Sequence, residues 1–133
     1  MEKKSSFQFK GYKVLRSFLE IKESTLEDLT LEFEPRGILN NTDNLFILEM
    51  KVRIFDKEQK INIDVTFEGE YEISERDDNL KPFLFTNAPA ILFPYIRAYI
   101  TSITALSGSA PIILPTMNLL KLKDKLAENL VEV

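Results

Sequence analysis

The run Lys60-Ile61-Asn62-Ile63-Asp64-Val65-Thr66-Phe67-Glu68-Gly69-Glu70-Tyr71-Glu72-Ile73 decides the fold. Ile61, Ile63, Val65, Phe67, Tyr71 and Ile73 share one phase, and the residues between them are polar or acidic. Successive strand side chains point to opposite faces, so this is a strand with one buried and one wet side. Gly69 breaks the apolar phase and marks a bulge or a close approach. The preceding segment, residues 44–56, alternates in the same way, with Phe46, Leu48, Met50, Val52 and Ile54 inward and Glu49, Lys51 and Arg53 outward. The polar link Asp56-Lys57-Glu58-Gln59 suits an antiparallel hairpin between the two. A shorter strand, residues 29–34, places Leu29, Leu31 and Phe33 inside, is ended by Pro35-Arg36-Gly37, and is followed by a turn at Asn40-Asn41-Thr42-Asp43. In residues 7–22, Phe7 and Phe9 share one phase while Tyr12 and Val14, beyond Gly11, take the other, which predicts a long strand with a bulge near Gly11. Residues 23–28 then cross to the second strand. The expectation is a four-stranded antiparallel sheet.

From Asn87 onward the apolar spacing becomes helical. Asn87 suits an N-cap with Pro89 in the first turn, and Gly108 suits the C-terminal stop. This helix carries Ile96, Tyr99, Ile100 and Ile103 with the small polar residues Thr101, Ser102, Thr104 and Ser107. A helix uncharged nearly all round is buried on more than one side. Either a second helix covers it, or Tyr99, Thr101, Ser102, Ile103 and Thr104 form an oligomer interface. Residues 109–116 hold Pro111 and Pro115, each of which biases the preceding residue toward extended geometry, so Ile112, Ile113 and Leu114 lie on an extended linker. A last helix from Asn118 stacks Leu119, Leu122, Leu126 and Leu130 in one stripe, with Lys121, Lys123, Lys125 and Glu128 opposite. Strands followed by helices make an α+β chain, read as one domain over residues 1–133.

Composition narrows the chemistry. The chain has 133 residues, 44% hydrophobic and 29% charged, which is ordinary for a globular protein. With no Cys and no His it can build neither a disulfide, a Cys/His zinc site nor a Ser-His-Asp triad. Carboxylate pairs such as Glu32/Glu34 and Asp77/Asp78 fall on a strand face and in a turn, with nothing to split their pKa values, so no enzyme is expected. With 4 Gly there is no phosphate-cradling loop and no cofactor or metal is expected. The net charge of −4 argues against nucleic acid as a partner. Residues 88–106 are interrupted by Pro89, Pro94 and Arg97, whereas a spanning helix needs about 20 predominantly apolar residues, so no membrane insertion is expected. The polar N-terminus is not a signal peptide, and the expected location is cytoplasmic.

Two surfaces are candidates for function. Asp64, Glu68, Glu70, Glu32 and Glu34 would share the outer face of the sheet, either as a negative docking patch or as the ordinary charges of a solvated face. The apolar surplus of the C-terminal half, including residues 111–115, Met117 and the last helix, either lines a groove for extended apolar peptide or simply fills the core.

The run Asn87-Ala88-Pro89-Ala90-Ile91-Leu92-Phe93-Pro94-Tyr95-Ile96-Arg97, with Leu114-Pro115-Thr116-Met117-Asn118-Leu119 at the expected distance, resembles the SecB-type protein-export chaperones and their SecB-like relatives. The resemblance covers roughly residues 7–130. It implies a cytoplasmic homotetramer, a dimer of dimers with the first helices sandwiched between outer sheets. It also implies an ATP-independent holdase that keeps unfolded polypeptide clients in apolar grooves. The matching groove positions are Ile112, Leu114, Met117, Leu119 and Leu122, with Leu26 and Leu29 from the crossover. Glu20, Asp64 and Glu68 match a partner-binding acidic face for the export motor ATPase. Arg16 stands where a further acid is expected, the crossover is short and lacks Trp, and residues 127–133 lack a basic, Gly-containing motor-binding tail. The same resemblance leaves two other readings: a chaperone dedicated to one antitoxin of a toxin–antitoxin module, and a structural or regulatory oligomer without client binding.

Overall fold

The computed structural model describes residues 7–23, 28–74, 76–116 and 118–133. Leu26 and Met117, two of the expected groove residues, lie outside the described residues, as does the side chain of Leu119.

The alternating segments form the centre of the sheet. Strand β3 (Leu45–Phe55) and strand β4 (Ile61–Ile73) pair antiparallel over their whole length, Phe55 opposite Asn62 and Leu45 opposite Glu72. Asp56 closes the hairpin by accepting the Ile61 N–H on its carboxylate at 3.0 Å. On the far side of β4 runs β1 (Phe7–Ile21). The expected irregularity is present at Gly11, whose φ is +132°, and a second, unexpected one lies between Val14 and Arg16. Each inserts one residue and switches phase, so Phe7, Phe9, Tyr12, Val14, Ser17, Leu19 and Ile21 all align with inward residues of β4. Gly69 is a close approach rather than a bulge. It stays in register with Tyr12 and Leu48, and a Cβ there would lie 3.2 Å from the Tyr71 ring.

Strand β2 (Thr30–Asn40) corrects the expectation that Pro35-Arg36-Gly37 ends it; the strand runs straight through them, Pro35 opposite Met50. Proline is tolerated because its missing N–H faces the sheet edge, where the neighbouring carbonyl groups are met by side chains from elsewhere. The sheet is also not four-stranded and antiparallel. A short strand β5 (Leu130–Glu132) pairs parallel to β2 at Gly37–Leu39, giving a five-stranded mixed sheet in the order β1-β4-β3-β2-β5. Leu130, expected on the last helix stripe, therefore belongs to a strand.

Helix α1 (Leu80–Leu106) starts well before Asn87. Asn87 is inside it, donating its side-chain amide to the Phe83 carbonyl at 2.8 Å, and Pro89 and Pro94 are interior. An isolated helix would break at such prolines. Here Leu80, Leu84, Ala88, Leu92, Ile96, Ile100 and Thr104 recur at every fourth position and are all buried, and packing on the sheet outweighs the lost hydrogen bonds. Tyr71 adds a tie from the sheet, its hydroxyl donating to the Ala88 carbonyl at 2.6 Å, and burial pushes its phenol above the ordinary tyrosine range. The reverse flank of α1, with Pro94, Ala98, Ser102 and Leu106, stays exposed.

Of the linker expected over residues 109–116, residues 110–116 lie outside helix, strand and turn, with Ile112 and Leu114 buried and Ile113 exposed. Two threonines of α1 hold this segment. Thr101 Oγ1 donates to the Ile112 carbonyl at 2.8 Å, and Thr104 Oγ1 accepts the Ile112 N–H at 2.9 Å. Helix α2 (Leu119–Glu128) follows, capped by Asn118, whose side chain accepts from the N–H groups of Leu120 and Lys121. Its buried Leu122 and Leu126 press on the sheet; at Gly37 a Cβ would stand only 3.0 Å from Leu126.

Candidate functional site

The absence of a side chain at Gly37 lets α2 lie close to β2 at one end. Toward the start of β2 the two elements part and leave a cavity of about 330 Å³. Leu31 and Phe33 wall it from the strand, Pro115 closes one end, Leu122 lies at its base, and Lys121 and Lys125 rim it from the helix. Leu31 and Phe33 are half-buried although they stand opposite fully buried Ile54 and Val52, because among the described residues no strand pairs with β2 on its outer side at this end. The rim is mixed in sign, with Glu32 and Glu34 of β2 beside the two lysines.

The edge of β2 here is dressed by side chains instead of a strand. Lys125 Nζ donates to the Phe33 carbonyl at 3.3 Å, and Asn129 Nδ2 donates to the Pro35 carbonyl at 3.2 Å. The Asn129 carbonyl accepts the Gly37 N–H at 3.3 Å, and β5 takes over from there.

Of the residues expected to hold a client, Leu122 lines this groove. Ile112 and Leu114 are 4% and 0% exposed and belong to the core beneath, so they support the groove without presenting surface. Leu29 is half-buried and packs against the core just before β2. Pro115 belongs to the linker expected to line a groove, whereas Leu31 and Phe33 were expected only as inward strand residues. Their alternation was legible, but which strand is left at an edge is set by strand order, which periodicity does not carry.

The acidic outer face is interleaved with cations. Asp64 pairs with Arg16 at 3.5 Å, Glu20 with Lys22 at 3.5 Å, and Glu32 with Arg53 at 3.2 Å. Glu68 stands in register between Lys13 and Glu49. Such exposed pairs are worth at most ~1 kcal/mol each, but they leave no single-sign field. Among the residues expected at an oligomer interface, Thr101 and Thr104 are engaged with the linker. Tyr99 packs edge-on against Phe67 at 5.5 Å, Ile103 is half-buried against the core, and Ser102 is exposed. The described residues contain no cluster of acidic side chains able to hold a metal ion, and none of the helices among them is long and apolar enough to cross a membrane.

The described residues thus form an α+β layer with a groove between an edge strand and a short amphipathic helix. The chain belongs to the SecB family: the pattern of preprotein translocase subunit SecB matches residues 16–128. An uncharacterized protein of Methanocaldococcus jannaschii is 37% identical over 83 residues, covering 59% of this chain and 54% of that one. The protein-export protein SecB of Caulobacter vibrioides is 30% identical over 91 residues, covering 65% of this chain and 54% of that protein. The chain thus spans about half the length of these curated relatives. In fold it is similar to the SecB-like chaperone Rv1957 of Mycobacterium tuberculosis, solved in complex with a ChAD peptide from the HigA1 antitoxin. The TM-score is 0.71 at 20% identity, covering 85% of this chain and 88% of the other.

Proposed function

We propose that this protein is an ATP-independent holdase that captures extended, unfolded polypeptide in the groove between β2 and α2. The observation that carries the reading is the groove itself: apolar walls at Leu31, Phe33, Pro115 and Leu122 under a rim of mixed charge, in a member of the SecB family. Apolar walls without a charged floor suit sequence-tolerant capture, because burial of client side chains is non-directional. We further propose a homotetramer acting in the cytoplasm, built as a dimer of dimers. The support is the uncovered flank of α1, where Leu106 is 87% exposed and Ile113 of the adjoining linker 69%. Docking on the export motor ATPase through Glu20, Asp64 and Glu68 would require its cations to displace Arg16 and Lys22.

A second reading, one dedicated client, is favoured by the M. tuberculosis neighbour, whose partner in the solved complex is an antitoxin peptide. Suppression of aggregation tests both, with light-scattering mass measured on the same samples. Suppression of several unrelated unfolded clients supports the general holdase; suppression of one alone supports the dedicated form. Leu31→Asp and Phe33→Asp should abolish most suppression while leaving the mass and the circular dichroism spectrum intact. Full suppression by both variants would place the client elsewhere. Leu114→Asp is unsuitable, because it would bury a charge at a site with no exposure.

A further inference from the structure

We infer that Lys121 and Lys125 sort clients by charge, favouring apolar segments interleaved with acidic residues over those interleaved with basic ones. The inference rests on the client-binding reading above and names the chemistry of the client. Four charged residues border the cavity, Glu32, Glu34, Lys121 and Lys125, but the fold sends them to different sides of the sheet. Leu31 and Phe33 stand opposite the buried Ile54 and Val52, so by strand alternation Glu32 and Glu34 point to the outer face. Their contacts there agree. Glu32 is ion-paired with Arg53 at 3.2 Å. Glu34 stands opposite Lys51 and also borders a second cavity, which Arg36, Glu49 and Lys51 line.

Helix α2 lies on the inward side of the sheet, where Leu122 and Leu126 are buried. Lys121 and Lys125, one turn apart on it, therefore supply the charge on the side where apolar client groups enter. Among the described residues neither has an ion-pair partner. Lys125 donates to the Phe33 carbonyl at 3.3 Å, and that neutral acceptor leaves its charge uncompensated. The acids of α2 do not offset the pair: Asp124 borders neither cavity, and Glu128 lies beside the second one. A chain with a net charge of −4 thus carries a locally positive groove mouth. Charges farther away than the screening length of about 8 Å at physiological salt count for little, so the near lysines outweigh the distant acids.

The spacing also fits. Four residues of helix rise about 6 Å, and side chains two apart on an extended chain lie ~7 Å apart. Acidic residues at alternate client positions can therefore meet both lysines while the apolar residues between them reach Leu31, Phe33 and Leu122. Burial against those walls is common to every apolar client, so the walls supply affinity and the lysines supply discrimination.

The test uses three short labelled peptides, blocked at both ends, with leucine at alternate positions and glutamate, glutamine or lysine between them. Each is titrated against the full chain by fluorescence anisotropy, with NMR of the Phe33 and Leu122 side chains in parallel. Exposed ion pairs are weak, so the glutamate peptide should bind about threefold tighter than the glutamine peptide for each acid engaged, and the lysine peptide more weakly than both. In 1 M salt the three affinities should converge, as the screening length falls to about 3 Å. The double variant Lys121→Glu with Lys125→Glu should invert the order of the glutamate and lysine peptides, which a merely structural role for the two lysines would not do. Lys123→Glu, which changes a lysine outside the cavity, should keep the parent order. Equal binding of the glutamate and lysine peptides, tighter binding of the lysine peptide, or an order unchanged in the double variant would each overturn the charge selection and leave the groove standing. If none of the peptides, the glutamine one included, shifts the Phe33 and Leu122 signals, the groove reading fails, and the charge selection with it.

Discussion

Replacing Thr104 by valine keeps the side-chain shape and removes one oxygen. That oxygen donates to the Ile100 carbonyl at 2.8 Å and accepts the Ile112 N–H at 2.9 Å, and Thr104 has no exposure. Ile100 sits in the helix, where its carbonyl has another partner, so losing the donor there costs little. Ile112 lies in a linker with no neighbouring strand, and it is 4% exposed, so its N–H would be left buried without an acceptor. An orphaned buried donor costs about 1–3 kcal/mol, and relief from burying the hydroxyl returns part of this. The expected net loss is ~2 kcal/mol. Thr104→Ser keeps both hydrogen bonds and loses one buried methyl, for about 1 kcal/mol. Thr101→Val removes one of two hydroxyl ties to Ile112 at a half-buried site, also for about 1 kcal/mol. Urea unfolding measures the series. With a slope of about 2 kcal/mol per molar, Thr104→Val should lower the midpoint by ~1 M without changing the slope. The loss should be independent of protein concentration, since the bonds lie within one chain. Because both threonines hold the same linker residue, the double valine variant should cost less or more than the sum, not equal it. A Thr104→Val variant as stable as the parent would refute the assignment. A loss that vanishes at high protein concentration would instead place Thr104 at a contact between subunits.

Two further outcomes follow from the packing. Tyr71→Phe should cost about 1 kcal/mol at neutral pH, through the lost hydrogen bond to the Ala88 carbonyl. Because burial raises the phenol's pKa in the folded state, its proton-linked stability is complete below about pH 10, where the unfolded tyrosine titrates, and falls as pH rises beyond it. The Phe variant should lack that part of the alkaline loss, as pH-dependent thermal melts will show. Gly37→Val places a side chain where even a Cβ stands 3.0 Å from Leu126 and from the Phe46 ring, both fully buried. It should destabilise by about 1–3 kcal/mol, read by urea unfolding, and push α2 away from β2, weakening suppression of client aggregation.

The sheet was legible where a single rule governed. In β3 and β4, alternation of apolar and charged residues sets which face is buried, and no other force competes. The bulge at Gly11 was legible because glycine announces it; the one near Leu15 was not, because Arg16-Ser17-Phe18 carries no such signal. Helix α1 was misplaced because local rules at Asn87, Pro89 and Pro94 all favour a helix start there. Packing of Leu80, Leu84, Phe85 and Ala88 overrides them. β5 escaped because three residues are too few for a period. The motif Leu114-Pro115-Thr116-Met117-Asn118-Leu119 located the groove's neighbourhood and Asn118 as a cap, yet it drew attention to Ile112 and Leu114, which the linker turns inward.

The sequence by itself determined the inward faces of β3 and β4, the break in helix and strand around Pro111 and Pro115, and the start of α2, because each depends on neighbours in the chain. Tertiary structure alone decided that β2 lies at an edge, that β5 covers only part of it, and that Leu31 and Phe33 are left half-buried there. Strand order is a property of contacts between segments far apart in sequence, and the site exists only where those contacts stop.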